Sequence, residues 1–120
     1  MKVTKGELVW FDIPVKSFAK SKIFYSKLLG WKFQPMGDEY LLIKAGKEMI
    51  GGLRFQEGKV VLCESPVMYF GVSKLSTSTA LAKKLGAMLI GGRVDIPDGM
   101  GCFQLLRDQD KNLFGIWAQD

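Results

Sequence analysis

The chain has 120 residues, 48% of them hydrophobic, with a formal net charge of +5 and no histidine at all. That length suits one domain with a single core, and the missing histidine excludes Ser-His-Asp and Cys-His catalysis and His-based zinc sites. No apolar run approaches the roughly 18 residues of a membrane span, and the start MKVTKGELVW has no secretory h-region.

Cys63 and Cys102 sit in apolar, strand-like runs and are too few for a disulfide framework, so both are expected as buried reduced thiols of a cytoplasmic protein. The lysines are spread over predicted helix faces and turns rather than clustered. A dispersed basic surface of this kind is a solvated one, and no nucleic-acid or membrane partner is expected.

The first element is a strand over ELVWFDIPV, Glu7 to Val15, with Pro14 marking its end or an edge. Ser17 then caps a helix, FAKSKIFYSKLL, in which Phe18, Ile23, Phe24 and Leu28 recur at helical spacing and Gly30 is the stop. Three strands follow, WKFQ, EYLLIKA and EMIGGLRF, separated by the turn signals PMGD and AGK. After the connector QEGK the order begins again. The strand PVMYFGV leads to a helix starting around Ser73 to Ser76, with Leu75, Ala80, Leu81 and Leu85 on its apolar face and Gly86 as its stop. AMLIGGRVDI, GCFQLLR and NLFGIWA complete it. VKS aligns with VSK, KLLGW with KKLGA, and IGGL with FGIW, an internal repeat of roughly sixty residues.

Asp108, Asp110 and Asn112 in DQDKN alternate as in the opening of an EF-hand calcium loop. Such a loop needs glycine at its sixth position and a bidentate glutamate at its twelfth, whereas here the sixth is Leu113 and the last side chain able to serve is Gln119. The segment therefore reads as a hairpin turn between two strands.

WFDIPV, KIFYSKLLGWKF, GGL and IPDGMGCFQLLRDQDKNLFGIW, in that order within the repeat, resemble the glyoxalase, bleomycin-resistance and extradiol-dioxygenase superfamily, also called vicinal oxygen chelate proteins. The resemblance covers nearly the whole chain. It implies an α+β fold: one domain over 1–120 with two tandem β-α-β-β-β modules, about 7–56 and 65–118, whose sheets form a cup around one small-molecule cavity. It also implies a homodimer, common among two-module members.

In metal-dependent members the ligands come from the first and last strands of each module. The resemblance places those positions at Trp10 and Gly51 in the first module and at Val67 and Gly115 in the second, and none offers a donor atom to a metal. No metal or other cofactor is expected. If Trp10 faces the cup, alternation puts Asp12 there and turns Val9, Phe11 and Ile13 toward the helix layer. The same parity adds Tyr69, Gly71 and Trp117, and Met49, Leu53 and Phe55 around Gly51. The loop PDGMG, Pro97 to Gly101, resembles one near the cavity mouth and adds Met100.

The candidate ligand contacts are thus Trp10, Met49, Leu53, Phe55, Tyr69, Met100 and Trp117, with Asp12 as the candidate catalytic or ligand-orienting group. Against this stands a purely architectural reading, in which Trp10 and Trp117 fill the cup and Asp12 pairs with Lys44, Arg54 or Arg107. The function implied is a glyoxalase-related protein binding a small apolar or aromatic metabolite without metal. One alternative is a lyase or isomerase in which Asp12 abstracts a proton beside a carbonyl. Another is a drug-binding resistance protein, for which the net positive charge disfavours cationic drugs.

Overall fold

The computed structural model describes residues 3–57 and 66–120. Cys63, Gly58 and Lys59 of the QEGK connector, and the expected module boundary at 65 lie outside them. The elements run β1 (Leu8–Val15), α1 (Phe18–Leu29), β2 (Lys32–Pro35), β3 (Tyr40–Ala45), β4 (Glu48–Phe55), β5 (Val67–Gly71), α2 (Leu75–Lys84), β6 (Met88–Asp95), β7 (Cys102–Arg107) and β8 (Leu113–Ala118). The fold is α+β, and the order β-α-β-β-β occurs twice. Two compact units are distinguished. The first is Trp10–Pro66, and the second is Val67–Asp120 together with Met1–Val9, so that Leu8 and Val9 of β1 count with the second.

In the first unit the strand order is β2-β3-β4-β1, with β4 and β1 parallel. The helix α1 begins where Ser17 Oγ accepts the Lys20 amide at 3.2 Å. It ends at Gly30, whose φ of 72° lets its N–H reach the Ser26 carbonyl at 2.9 Å. β3 turns into β4 at Gly46, φ 61°. The pairing of Ala45 with Glu48 and Lys44 with Met49 then shifts to Ile43 with Gly51 and Leu42 with Gly52. Ile50 is the extra residue of a bulge, and every β4 side chain beyond it points opposite to a straight count from the turn.

The core of this unit is Val15, Leu41, Ile43 and Leu53, closed by Phe11, Ile13, Phe18, Tyr25, Trp31, Phe33 and Ile50. Tyr25 stacks on Trp31 with ring centroids 5.1 Å apart. From α1, then, it is Phe18 and Tyr25, seven residues apart, that face the sheet. Ile23, Phe24 and Leu28, expected there from their spacing, are 57%, 58% and 66% exposed.

In the second unit the order is β5-β8-β7-β6, with β5 and β8 parallel. Leu75, Cys102, Leu106, Ile116 and Ala118 form its core, joined by Val72, Ala82, Ala87, Leu89 and Phe114. Again two helix residues seven apart, Leu75 and Ala82, point inward, while Leu81 and Leu85 are exposed. The helix α2 starts at Lys74 without a side-chain cap. The Cys102 thiol is free and buried, and burial pushes its pKa up. Gln104, also buried, donates from Nε2 to the carbonyls of Leu105 at 2.9 Å and Gly91 at 3.0 Å. It braces the irregular stretch of β6, where the register with β7 shifts between Ile90 and Val94.

DQDKN is a hairpin turn joining β7 to β8. Asp108 Oδ1 accepts the amides of Asp110 and Asn112, each at 2.9 Å, and Oδ2 accepts the Asn112 side chain at 3.0 Å. Both oxygens of the first would-be calcium ligand are thereby committed to the turn.

Candidate functional site

β1 alternates in the first unit. Phe11 and Ile13 pack into the core beneath α1, and Trp10 and Asp12 lie on the other face of the sheet. There they meet Tyr40, at the start of β3. The Trp10 indole donates from Nε1 to Tyr40 Oη at 2.8 Å, and the Tyr40 hydroxyl donates to Asp12 Oδ1. All three side chains are half-buried.

Gly52 makes this possible. It is the register partner of Asp12, and a Cβ placed on it would run into the Tyr40 ring and hydroxyl. Arg54 follows on the same face, opposite both Tyr40 and Pro14. Tyr40 was missed from the sequence; a hairpin count including the bulge would have found it opposite Arg54.

The expected β4 contacts stand elsewhere. A Cβ on Gly51 would collide with the backbone oxygen and ring of Phe11, so that glycine faces the helix side. Leu53, two residues on, is fully buried in the core under α1. Phe55 meets Phe18 of α1 edge-on, centroids 6.2 Å apart. Leu53 and Phe55 keep the parity of Gly51, which faces the helix side, and therefore do not share the face of Trp10. Met49 precedes the bulge, opposite Lys44, and is exposed.

In the second unit Tyr69 and Gly115 are register partners, and Trp117 pairs with Gly71. A Cβ on Gly115 would enter the Tyr69 ring. Tyr69 is buried and meets Phe103 edge-on, centroids 5.3 Å apart. Because Phe114, Ile116 and Ala118 pack on the α2 side, Gly115 and Trp117 stand on the opposite face with Tyr69. Val3 and Val9 cover Gly71, and Val9 thus serves this unit. The Trp117 indole donates to the Met100 carbonyl at 3.0 Å, and Gln119 Nε2 donates to Gly99 at 2.7 Å. The loop over Pro97 to Gly101 is tied to β8 and brings Met100 to Trp117.

Two parallel strand pairs therefore match: Asp12 with Gly52, and Tyr69 with Gly115. By this register the first-unit counterpart of Gly115 is Gly52, one residue beyond the Gly51 expected from aligning IGGL with FGIW. Trp10, Gly52, Val67 and Gly115 do not fit a divalent metal, since indole, isopropyl and glycine lack a ligand atom and tyrosine rings fill the space over both glycines. Among the described residues no group of three or more His, Cys, Asp or Glu is placed to hold one.

Residues 7–46 match the family described as bleomycin resistance protein-like N-terminal. Three solved structures share the fold. A hypothetical protein of Bacillus halodurans C-125 is 15% identical with a TM-score of 0.71, over 98% of this chain and 96% of its own. A Mn(II)-bound glyoxalase from Novosphingobium aromaticivorans is 15% identical at TM-score 0.70, over 96% of this chain and 39% of its own. An extradiol ring-cleaving dioxygenase from B. fuscum is 17% identical at TM-score 0.71, over 97% of this chain and 34% of its own. This chain thus spans well under half the length of those two enzymes. A comparison with curated protein sequences returns no match. The matched segment covers a third of the chain, and the fold is the one shared by a glyoxalase and an extradiol dioxygenase.

Proposed function

We propose that this protein binds a small apolar or aromatic metabolite without a metal ion. The observation that carries the reading is the Trp10–Tyr40–Asp12 chain, an aromatic surface with one carboxylate fixed in its midst. A few placed polar groups among aromatic side chains is the composition of a small-molecule site. Tyr69, Trp117 and the Met100 loop are the candidate contacts of the second unit taken by itself, and Met49 remains a peripheral candidate in the first. Leu53 belongs to the core, and Phe55 is exposed beside Phe18 of α1.

Catalysis of proton transfer by Asp12 is the weaker reading, because one carboxylate oxygen is already occupied by Tyr40 and no histidine is available to assist. Drug sequestration needs the same aromatic face and differs only in the ligand. The protein is proposed to act as a cytoplasmic homodimer. Support for a second copy comes from the exposed Phe24 and Leu28 of α1 and the equivalent Leu81 and Leu85 of α2. No described helix is long and apolar enough to cross a membrane.

Thermal-shift screening against a metabolite panel, with and without added zinc, nickel, iron and manganese, tests the proposal. A metabolite should raise the melting temperature equally in the presence of a chelator. Stoichiometric metal after mild purification, or ligand binding that a chelator abolishes, would overturn it.

A further inference from the structure

We propose that the outward face of α1 docks on an anionic lipid surface, with Ile23, Phe24 and Leu28 entering the headgroup region and Lys20 and Lys27 meeting its phosphates. The proposal does not depend on the metal-free binding above.

Helical spacing brings Lys20, Ile23, Phe24, Lys27 and Leu28 to one side of α1, where they line a shallow groove of about 530 Å³. Phe18 and Tyr25 turn toward the sheet, and this side is left exposed. Lys16, Lys22 and Lys32 are exposed as well, and residues 13–37 contain no Asp or Glu. Among the described residues the one ion pair joins Arg93 and Asp95, so these lysines are not neutralised within the fold. Dispersed along the sequence, Lys20 and Lys27 share a face with exposed apolar side chains once the helix forms.

The second unit, taken by itself, repeats the arrangement. Leu81, Lys84 and Leu85 stand at the same distances from inward-facing Leu75 as Phe24, Lys27 and Leu28 do from inward-facing Phe18. They too are exposed, and residues 66–94 contain no Asp or Glu. An apolar–lysine–apolar triad turned outward in both copies of the repeat is a feature of the surface rather than an accident of one helix.

Other occupants fit less well. A small molecule in a groove walled by one helix would stay mostly in water, whereas binding pockets bury most of their ligand. A protein partner would meet lysine where interfaces favour arginine and aromatic anchors. A second copy, the other claimant to Phe24 and Leu28, would set lysine against lysine if it seated its own helices there, since neither helix carries an acidic residue. An anionic membrane supplies what is missing. The apolar side chains enter the acyl boundary while the ammonium groups reach the phosphates on flexible stems. Each lysine near such a surface strengthens binding about fivefold.

Sedimentation with vesicles tests this, one set of phosphatidylcholine alone and one containing about a third phosphatidylglycerol. The anionic vesicles should bind about tenfold tighter or more, and most of that advantage should vanish as salt is raised from about 0.02 M to about 0.5 M. Lys20→Glu with Lys27→Glu should weaken binding by about thirtyfold. Leu28→Ser should weaken it by about tenfold. Lys5→Glu with Lys47→Glu makes the same change in net charge on neither helix, and should shift binding by less than about threefold. Every substituted side chain is exposed, and circular dichroism checks that each variant is folded.

Equal binding to both vesicles, or equal losses in the two lysine pairs, would overturn the inference. So would vesicles left unbound: if the protein is then a dimer that Leu28→Ser dissociates, the face belongs to a second copy, and if it is a monomer, to an acidic protein partner.

Discussion

The two units meet the same geometric demand with different strands. In each, a glycine of the last strand lies parallel to the first strand, and a tyrosine ring occupies the space its side chain would need. In the first unit the ring is Tyr40, delivered from β3 over Gly52, with its hydroxyl bonded to Trp10 and Asp12. In the second it is Tyr69, delivered from β5 over Gly115 and packed against Phe103. Tyr40 is half-buried and reaches its glycine with the far end of the ring, whereas Tyr69 is buried and lies over its glycine with the ring edge. The repeat conserves the vacancy, and what fills it has diverged: one unit uses the ring to carry a polar chain, the other as packing.

Substituting the glycines gives the largest effect and can break that comparison. A methyl at Gly115 must displace a buried ring held by Phe103, so Gly115→Ala should cost about 3 kcal/mol of unfolding free energy in urea. At Gly52 the obstacle is the outer end of a half-exposed side chain that can swing aside, losing its bonds to Trp10 and Asp12. About 1 to 2 kcal/mol is expected there. If Gly52→Ala proves as costly as Gly115→Ala, Tyr40 is as rigid as Tyr69, and the contrast between a packed ring and a wired one is wrong.

The hairpins leading into the two last strands sharpen the comparison at a smaller scale. Each needs one residue in the left-handed region, supplied by Gly46 at φ 61° in the first unit and by Lys111 at φ 70° in the second. A side chain is strained there and glycine is not. Gly46→Ala should therefore destabilise by about 1 kcal/mol. Lys111→Gly should stabilise by about 0.5 kcal/mol, since the greater freedom of glycine in the unfolded chain offsets part of the relief. Matching shifts of one sign would mean that the turns are held by their surroundings rather than by these residues.

Most of the architecture was legible because it is written in local signals. Ser17 and Gly30 delimit α1 as capping chemistry dictates, DQDKN forms the hairpin turn its composition indicates, and the repeat foretold the element order. Side-chain direction was less legible. Alternation along β1 gave the faces of Trp10, Asp12, Phe11 and Ile13 correctly because that strand is regular. Along β4 the alternation held, but it was counted from Gly51, where the repeat alignment pointed, instead of Gly52, so Leu53 lies in the core and Phe55 against Phe18. Tyr40 went unnoticed because no face was assigned to β3, and the bulge at Ile50 displaces its partner across the hairpin by one. The helix stripes misled in the opposite sense. Ile23, Phe24 and Leu28 have helical spacing yet face outward, while Tyr25, with its polar tip, packs inward on Trp31.

The smallest effect concerns a carboxylate in the turn of one hairpin and its absence from the turn of the other. The Asn112 side chain, then the Asn112 and Asp110 backbone amides, donate to the Asp108 carboxylate and hold it below its ordinary pKa. A depressed carboxylate stabilises the fold at pH above its unfolded value of about 3.9, and the contribution is lost as pH falls through the folded value. Asp108→Ala should therefore melt below the wild type at pH 7, with a gap that narrows steadily as the buffer is taken from about pH 5 to below pH 3. The carboxylate is fully exposed, and the gap should be correspondingly slight. The turn at Ala45, Gly46 and Lys47 contains no carboxylate, so the deficit of Gly46→Ala measured over the same range should stay constant. If the Asp108→Ala gap were equally flat, the second hairpin would be held by backbone geometry alone, and the two turns would differ only in the residue at their left-handed position.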